Sequence, residues 1–204
     1  MTVHQLTLTG GGEPRVDDAA TIERVRLDDV SWVDVGRAWL HGADTLLDAL
    51  VRDVEWKQGR RWMYERVVDD PRLSHWVRAE DPLPHPALAE VQRALERRYG
   101  VRFGSVGLNY YRDGADSVAW HRDRELRELD DTLIAIVTLG GPRPFLIRPQ
   151  GKGRSRDFAP GSGDLLVMGG RCQMDWEHSV PKVRRAGPRL SCTWRWQRPP
   201  ADHG

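Results

Sequence analysis

The sequence predicts a mainly β protein of the α+β class: helices come first, and an antiparallel sandwich or jelly roll of about eight strands follows. Three observations predict it. Helix-period patterns are confined to the first hundred residues. After Gly100, short strand-like runs follow one another at close spacing, parted by Gly and Pro. No helix-length pattern interleaves those runs, which excludes a parallel α/β sheet.

Residues 9–21, TGGGEPRVDDAAT, are polar and Gly-rich. They read as a loop, so residues 1–30 are expected to be a flexible N-terminal arm. From Asp44 to Val54, Leu46, Leu47, Leu50, Val51 and Val54 fall on one helical face. A second helix is expected from Pro86 to Tyr99. Proline suits its first turn, Leu88, Val91, Leu95 and Tyr99 make the apolar stripe, and Gly100 suits the position after its end. Between them, Trp56–Trp76 contains Gly59 and Pro71 and reads as irregular or short-stranded. The strand-like runs are Val106–Tyr111, Ser117–His121, Leu133–Leu139, Pro144–Arg148, Arg156–Phe158, Leu165–Met168, Trp176–Val180 and Leu190–Trp196. One domain over 31–204 is expected, with a helical part over 31–104 and the jelly-roll core over 105–198.

Composition narrows the function classes. The formal net charge is +1, so bulk charge selects no partner. The 31 basic residues are 28 Arg and 3 Lys, and nine residues are Trp. Between Arg143 and Arg198 stand 12 basic and 4 acidic residues, a stretch suited to phosphates. No apolar run has the length of a membrane span, and the first residues lack a secretory pattern. Cys172 and Cys192 make neither a disulfide framework nor a zinc knuckle. A cytoplasmic monomer is expected.

His121-Arg122-Asp123 is an HxD. On a strand, residues two apart share a face, so one imidazole and one carboxylate would converge. His178, on another expected strand, would be the third ligand. Two His and one carboxylate leave positions open on a six-coordinate metal, the arrangement that suits oxygen-activating non-haem Fe(II). Farther on, Arg189, Ser191, Thr193 and Arg195 alternate with Leu190, Cys192, Trp194 and Trp196. One face of that strand is therefore wholly polar. Inside a sandwich, two Arg and two hydroxyls would receive a dicarboxylate.

In order along the chain stand Pro71-Arg72-Leu73 with Trp76, then Asn109-Tyr110-Tyr111, Asp113-Gly114, His121-Arg122-Asp123, Thr138-Leu139-Gly140, His178-Ser179 and the 189–195 strand. This ordered set resembles the AlkB family of Fe(II)- and 2-oxoglutarate-dependent dioxygenases. The resemblance implies a double-stranded β-helix core, with residues 31–104 carrying nucleotide recognition. By position, His121, Asp123 and His178 resemble the iron ligands. Asn109, Tyr111, Arg189, Ser191, Thr193 and Arg195 resemble the 2-oxoglutarate site. Ser191 stands where many relatives have Asn, which shortens its reach. Glu125 falls where the family places an acidic residue near the target base, and Met168 where some relatives carry an aromatic one. Trp62, Tyr64 and Arg72 are the further substrate candidates. The implied cofactors are Fe(II), 2-oxoglutarate and O2, and the implied reaction is oxidative demethylation of nucleobases such as 1-methyladenine and 3-methylcytosine in DNA. The alternatives are the same chemistry on RNA or protein, or a non-catalytic nucleic-acid-binding jelly roll.

Overall fold

The structure is a computed structural model and describes residues 11–63 and 65–197. Among the described residues, fourteen strands and three helices follow in the order β1 Arg15–Val16, β2 Ile22–Arg26, β3 Ser31–Gly36, β4 Leu40–His41, α1 Ala43–Asp53, β5 Lys57–Met63, β6 Arg66–Val77, α2 Pro86–Tyr99, β7 Val106–Tyr111, β8 Val118–His121, β9 Thr132–Gly140, β10 Leu146–Pro149, β11 Arg156–Asp157, β12 Leu165–Gly170, α3 Cys172–Asp175, β13 Trp176–Val180 and β14 Arg189–Gln197.

All eight expected strands form, as β7 to β14. They divide four and four. β7, β9, β12 and β14 enter an eight-stranded sheet ordered β2-β3-β12-β9-β14-β7-β6-β5. β8, β10, β11 and β13 make a four-stranded sheet ordered β11-β10-β13-β8. The double-stranded β-helix is thus present, with the larger sheet extended by strands from the first half.

Alternation along β9 shows how the layers are made. Leu133, Ala135, Val137 and Leu139 pack with the helical Leu46, Leu50, Leu88 and Leu95. Ile134 and Ile136 point the other way, between the sheets, with Phe145, Ile147, Leu166 and Val180. A strand covered on both faces reads as one apolar run, here TLIAIVTLG. Helix α2 has the expected ends: His85 Nδ1 accepts from Ala87 N at 3.2 Å, Pro86 opens the first turn, and Gly100 ends it at φ 67°.

Two expectations about the first half are corrected. Residues 15–30 are no free arm. β1 pairs with β4, and β2 forms the sheet edge beside β3. Val16 N donates to Glu90 Oε1, while Arg24 forks onto buried Asp34 and lies 3.5 Å from the Trp32 ring centre. Polar sequence hid these strands because edge strands bury only one stripe. The segment 56–76 is no irregular connection either; it holds most of a long β5–β6 hairpin. Pro71 is tolerated because it sits at the register shift opposite Gly59 and before β6 begins to pair with β7 at Leu73. Its carbonyl accepts from Ser117 N at 2.7 Å.

Candidate metal centre and adjoining pocket

The smaller sheet brings two histidines together. His121 ends β8 and His178 lies mid-β13, and they are direct cross-strand partners with ring centres 4.2 Å apart. Asp123 stands two residues beyond the end of β8, its Oδ1 3.5 Å from His121 Nε2 and 4.0 Å from His178 Nε2. One ligand atom from each residue lies within 4.8 Å of the others, so the three form a group that could hold a metal ion. His121 Nδ1 lies 2.9 Å from the Ala119 carbonyl, which only accepts. The ring proton therefore belongs on Nδ1, and Nε2 keeps the lone pair a metal needs.

Asp123 is braced from three sides. Arg195 Nε donates to its Oδ2 at 2.5 Å, and its backbone N–H donates to Gln173 Oε1 at 2.8 Å, with His121 on the third side. Burial opposes the carboxylate's charge, but its polar neighbours, the Arg195 guanidinium among them, outweigh it and hold the group well below the usual carboxylate range. Burial, with His121 beside it, pushes His178 down to about 3. A neutral imidazole and an ionised carboxylate are the protonation states in which these groups ligate metals.

The larger sheet supplies the opposite wall. Arg189 pairs with Tyr111, Ser191 with Asn109 and Thr193 with Gly107 across β14 and β7. The polar face expected of β14 does turn inward: Ser191, Thr193 and Arg195 line the same cavity as the metal-ligand group. Cys192 and Trp194 lie fully buried on the helix side. The cavity measures about 480 Å³. Arg189 is 0 % exposed beside the Tyr111 ring, 5.4 Å from its centre. Its Nη2 meets Thr138 Oγ1 at 3.3 Å, whereas Nε and Nη1 are buried without a partner. Burial pushes Arg189 down to about 10. A buried guanidinium with unspent donors calls for an anion, so the residues present fit a carboxylate guest.

Some site expectations change. The strand argument for Glu125 does not hold, because the chain leaves β8 after His121 and Glu125 sits exposed in a turn; it lines the cavity nonetheless. Arg72 also lines it, but its Nε is bound to Asn109 Oδ1 at 2.9 Å. Met168 is 1 % exposed in the apolar layer between the sheets. Tyr64 and the side chain of Trp62 lie outside the described residues. Arg143, the first of the basic stretch expected to hold phosphates, is buried and donates to the carbonyls of Asp113, Asp116 and Pro181. Two contributors escaped the sequence reading, Gln173 behind Asp123 and Phe145 stacked 5.6 Å from His178, and Trp76, read there only as part of the ordered set, stands at the cavity wall. Neither Gln173 nor Phe145 carried a local signal in the sequence.

A jelly roll that gathers two His and one Asp at a cavity and buries an arginine with unspent donors in the facing sheet has the parts of an iron- and oxo-acid-dependent oxygenase. Residues 41–198 match the 2OG-Fe(II) oxygenase superfamily, and the chain belongs to it. The alkB homolog 3 dioxygenase of Mus musculus is 32% identical over 94% of this chain and 76% of its own length. The DNA oxidative demethylase ALKBH2 of Homo sapiens is 32% identical over 75% of this chain and 68% of its own. Among solved structures, OsALKBH1 superposes with a TM-score of 0.60 at 14% identity, covering 86% of this chain and 100% of that one, a likeness of fold. The protein is accordingly a dioxygenase of the AlkB type, which requires Fe(II), 2-oxoglutarate and O2.

Proposed function

We propose that the enzyme removes methyl groups oxidatively from alkylated nucleobases in DNA, such as 1-methyladenine and 3-methylcytosine, and so reverses damage directly. The carrying observation is the 32% identity to alkB homolog 3 over 94% of the chain. The likeness to a DNA oxidative demethylase supports DNA as the strand.

In this reading His121 Nε2, Asp123 Oδ1 and His178 Nε2 hold the iron. Bound Fe(II) and 2-oxoglutarate supply O2 activation coupled to decarboxylation, by which an N-methyl group is hydroxylated and leaves as formaldehyde. Arg189 forks onto the distal carboxylate, with Thr138 fixing one of its nitrogens. Asn109, Tyr111, Ser191 and Thr193 line the path between that arginine and the metal ligands. Arg195 holds Asp123 in place and faces the proximal end of the cosubstrate. Glu125 at the exposed turn meets the base. Exposed arginines of the second half hold phosphates, so affinity falls with salt. The enzyme acts as a monomer in the cytoplasm, where its two free cysteines stay reduced.

The test incubates the enzyme with Fe(II), 2-oxoglutarate, ascorbate and matched DNA and RNA oligonucleotides carrying 1-methyladenine or 3-methylcytosine, then weighs the products. Loss of one methyl from the DNA is expected. Loss from RNA alone moves the substrate to RNA, and no loss from either during 2-oxoglutarate consumption overturns the nucleobase reading.

A further inference from the structure

In the metal-ligand group, His121 and His178 are held as cross-strand partners of β8 and β13, whereas Asp123 lies two residues past the end of β8. There the chain turns: Leu126 N donates to the Asp123 carbonyl at 3.0 Å, and Leu129 N to the Leu126 carbonyl at 3.0 Å. A ligand's orientation is set by the groups around it, and for Asp123 the strand does not supply them. Arg122, the residue between the two ligands of the HxD, grips the turn from outside. Its Nη1 donates to the Arg127 carbonyl at 3.2 Å, which closes the turn, and to the Met174 carbonyl at 2.8 Å, which ties the turn to α3. With its amide oriented so that both ends are paired, Gln150 accepts from Arg122 Nη2 at 3.2 Å and donates to the same Met174 carbonyl at 3.3 Å.

α3 is itself held on several sides. Cys172 Sγ donates to the Trp32 carbonyl at 3.3 Å, Arg171 forks onto Asp175, and Trp176 Nε1, just beyond the helix, donates to Asp28 Oδ2 at 2.7 Å. The residue after Cys172, Gln173, accepts the Asp123 backbone N–H. The turn and α3 are therefore clasped twice, in opposite senses. An amide oxygen of α3 takes the N–H of Asp123, and the guanidinium of Arg122 takes a carbonyl of α3. Two such bonds between neighbouring residues fix an orientation where one would leave a pivot. The Arg122 half is the stronger, since its donor is ionised. The same turn brings Glu125 to the cavity.

We propose that Arg122 is a positioning residue of the metal site: with Gln173 it moors the turn to α3 and so presents Asp123 to the two strand-borne histidines. It acts through the backbone of the residue beside it. The inference rests on the assignment of His121, Asp123 and His178 to the metal and is independent of which substrate is oxidised.

The test titrates Mn(II) into metal-free enzyme by calorimetry, with a melting temperature taken for each variant. Arg122→Met keeps the stem and loses the donors. Its Mn(II) affinity is expected to fall about tenfold, the lower end for groups that orient a ligand from behind. The KM for 2-oxoglutarate at saturating metal is expected to move far less. Arg37→Met is the control for a purely structural role. Arg37 also staples carbonyls and a carboxylate, those of Phe158, Ala159 and Asp164, and lines no part of the metal cavity. Its loss is expected to lower the melting temperature and leave Mn(II) affinity at the parent value. Parent affinity in Arg122→Met, or an equal loss in both variants, overturns the proposal. Added to Gln173→Leu, Arg122→Met is expected to cost about threefold or less, because both holds grip one turn; a full further tenfold loss would make the two independent and overturn the shared mooring. Should Arg122→Met not fold, Arg122→Gln, too short to span both carbonyls, is read in the same way. His121→Ala tests the ligand assignment by itself. If it keeps Mn(II) binding, that assignment falls and this inference with it; if it loses binding while Arg122→Met does not, this inference alone falls.

Discussion

The two walls of the pocket differ in how completely their charges are answered. On the smaller-sheet side, Asp123 has His121, Arg195 and the Gln173 amide around it, so the metal-ligand group is held in geometry by its own neighbours. On the larger-sheet side, Arg189 is fully buried beside Tyr111, not itself on the cavity lining, and meets one hydroxyl at 3.3 Å. The first wall is organised in advance; the second carries an electrostatic cost that a dicarboxylate relieves. The contrast teaches that burial alone does not mark a finished site, and that unspent donors mark where a guest belongs.

The largest effect should come from breaking the organised wall. His121→Ala is expected to abolish 2-oxoglutarate consumption and Mn(II) binding measured by calorimetry; retention of either would remove His121 from the ligand set. Next comes the unanswered wall. Arg189→Ala is expected to raise the KM for 2-oxoglutarate about hundredfold, since two charge-assisted bonds together contribute about 3 kcal/mol or more. The same wall makes a sharper prediction in melting experiments. The parent should be stabilised by added 2-oxoglutarate. Arg189→Leu, relieved of an uncompensated buried charge, should melt no lower than the free parent and gain nothing from the ligand. A large fall in its melting temperature would mean that Arg189 is held by more than a guest.

Smaller effects separate support from contact. Gln173→Leu removes the acceptor of the Asp123 backbone N–H, and metal affinity is expected to fall about tenfold, as for other residues that orient a ligand. The KM for 2-oxoglutarate, measured at saturating metal, should move far less. Thr138→Val takes away the hydroxyl that accepts from Arg189 Nη2 and is expected to raise that KM only about fivefold, since this single long bond at 3.3 Å contributes about 1 kcal/mol. An effect as large as that of Arg189→Ala would make Thr138 a contact of the cosubstrate itself.

Much of this site was legible because period-2 alternation carries chemistry. The 189–195 strand announced two faces, and the structure puts them where the alternation required. The HxD was legible as a pair, but its strand ends at His121, so the strand argument reached Asp123 and Glu125 for the wrong reason. Both face the pocket because a turn follows, not because a pleat continues. The first half was harder. Gly59 and Pro71 break a strand pattern in one dimension, yet at a register shift they are accommodated by pairing. Arg143 and Gln173 gave no local signal at all. Their roles arise from carbonyls and an amide that come from loops distant in sequence, and only the closed sandwich brings those together.

Strand β9 has a consequence for how the chain is made. It lies between β12 and β14 in the larger sheet, and neither neighbour exists until residues 165 and 189 have been added. Until then TLIAIVTLG is an uncharged, proline-free segment of high strand propensity with two open edges, which is the composition that self-associates. Asp130 and Asp131 precede it and Arg143 follows it, like-charge guards at one end and a cation at the other. Folding of this enzyme is therefore a race between late, non-local pairing and association of nascent chains, and slower synthesis or lower temperature should favour the sandwich.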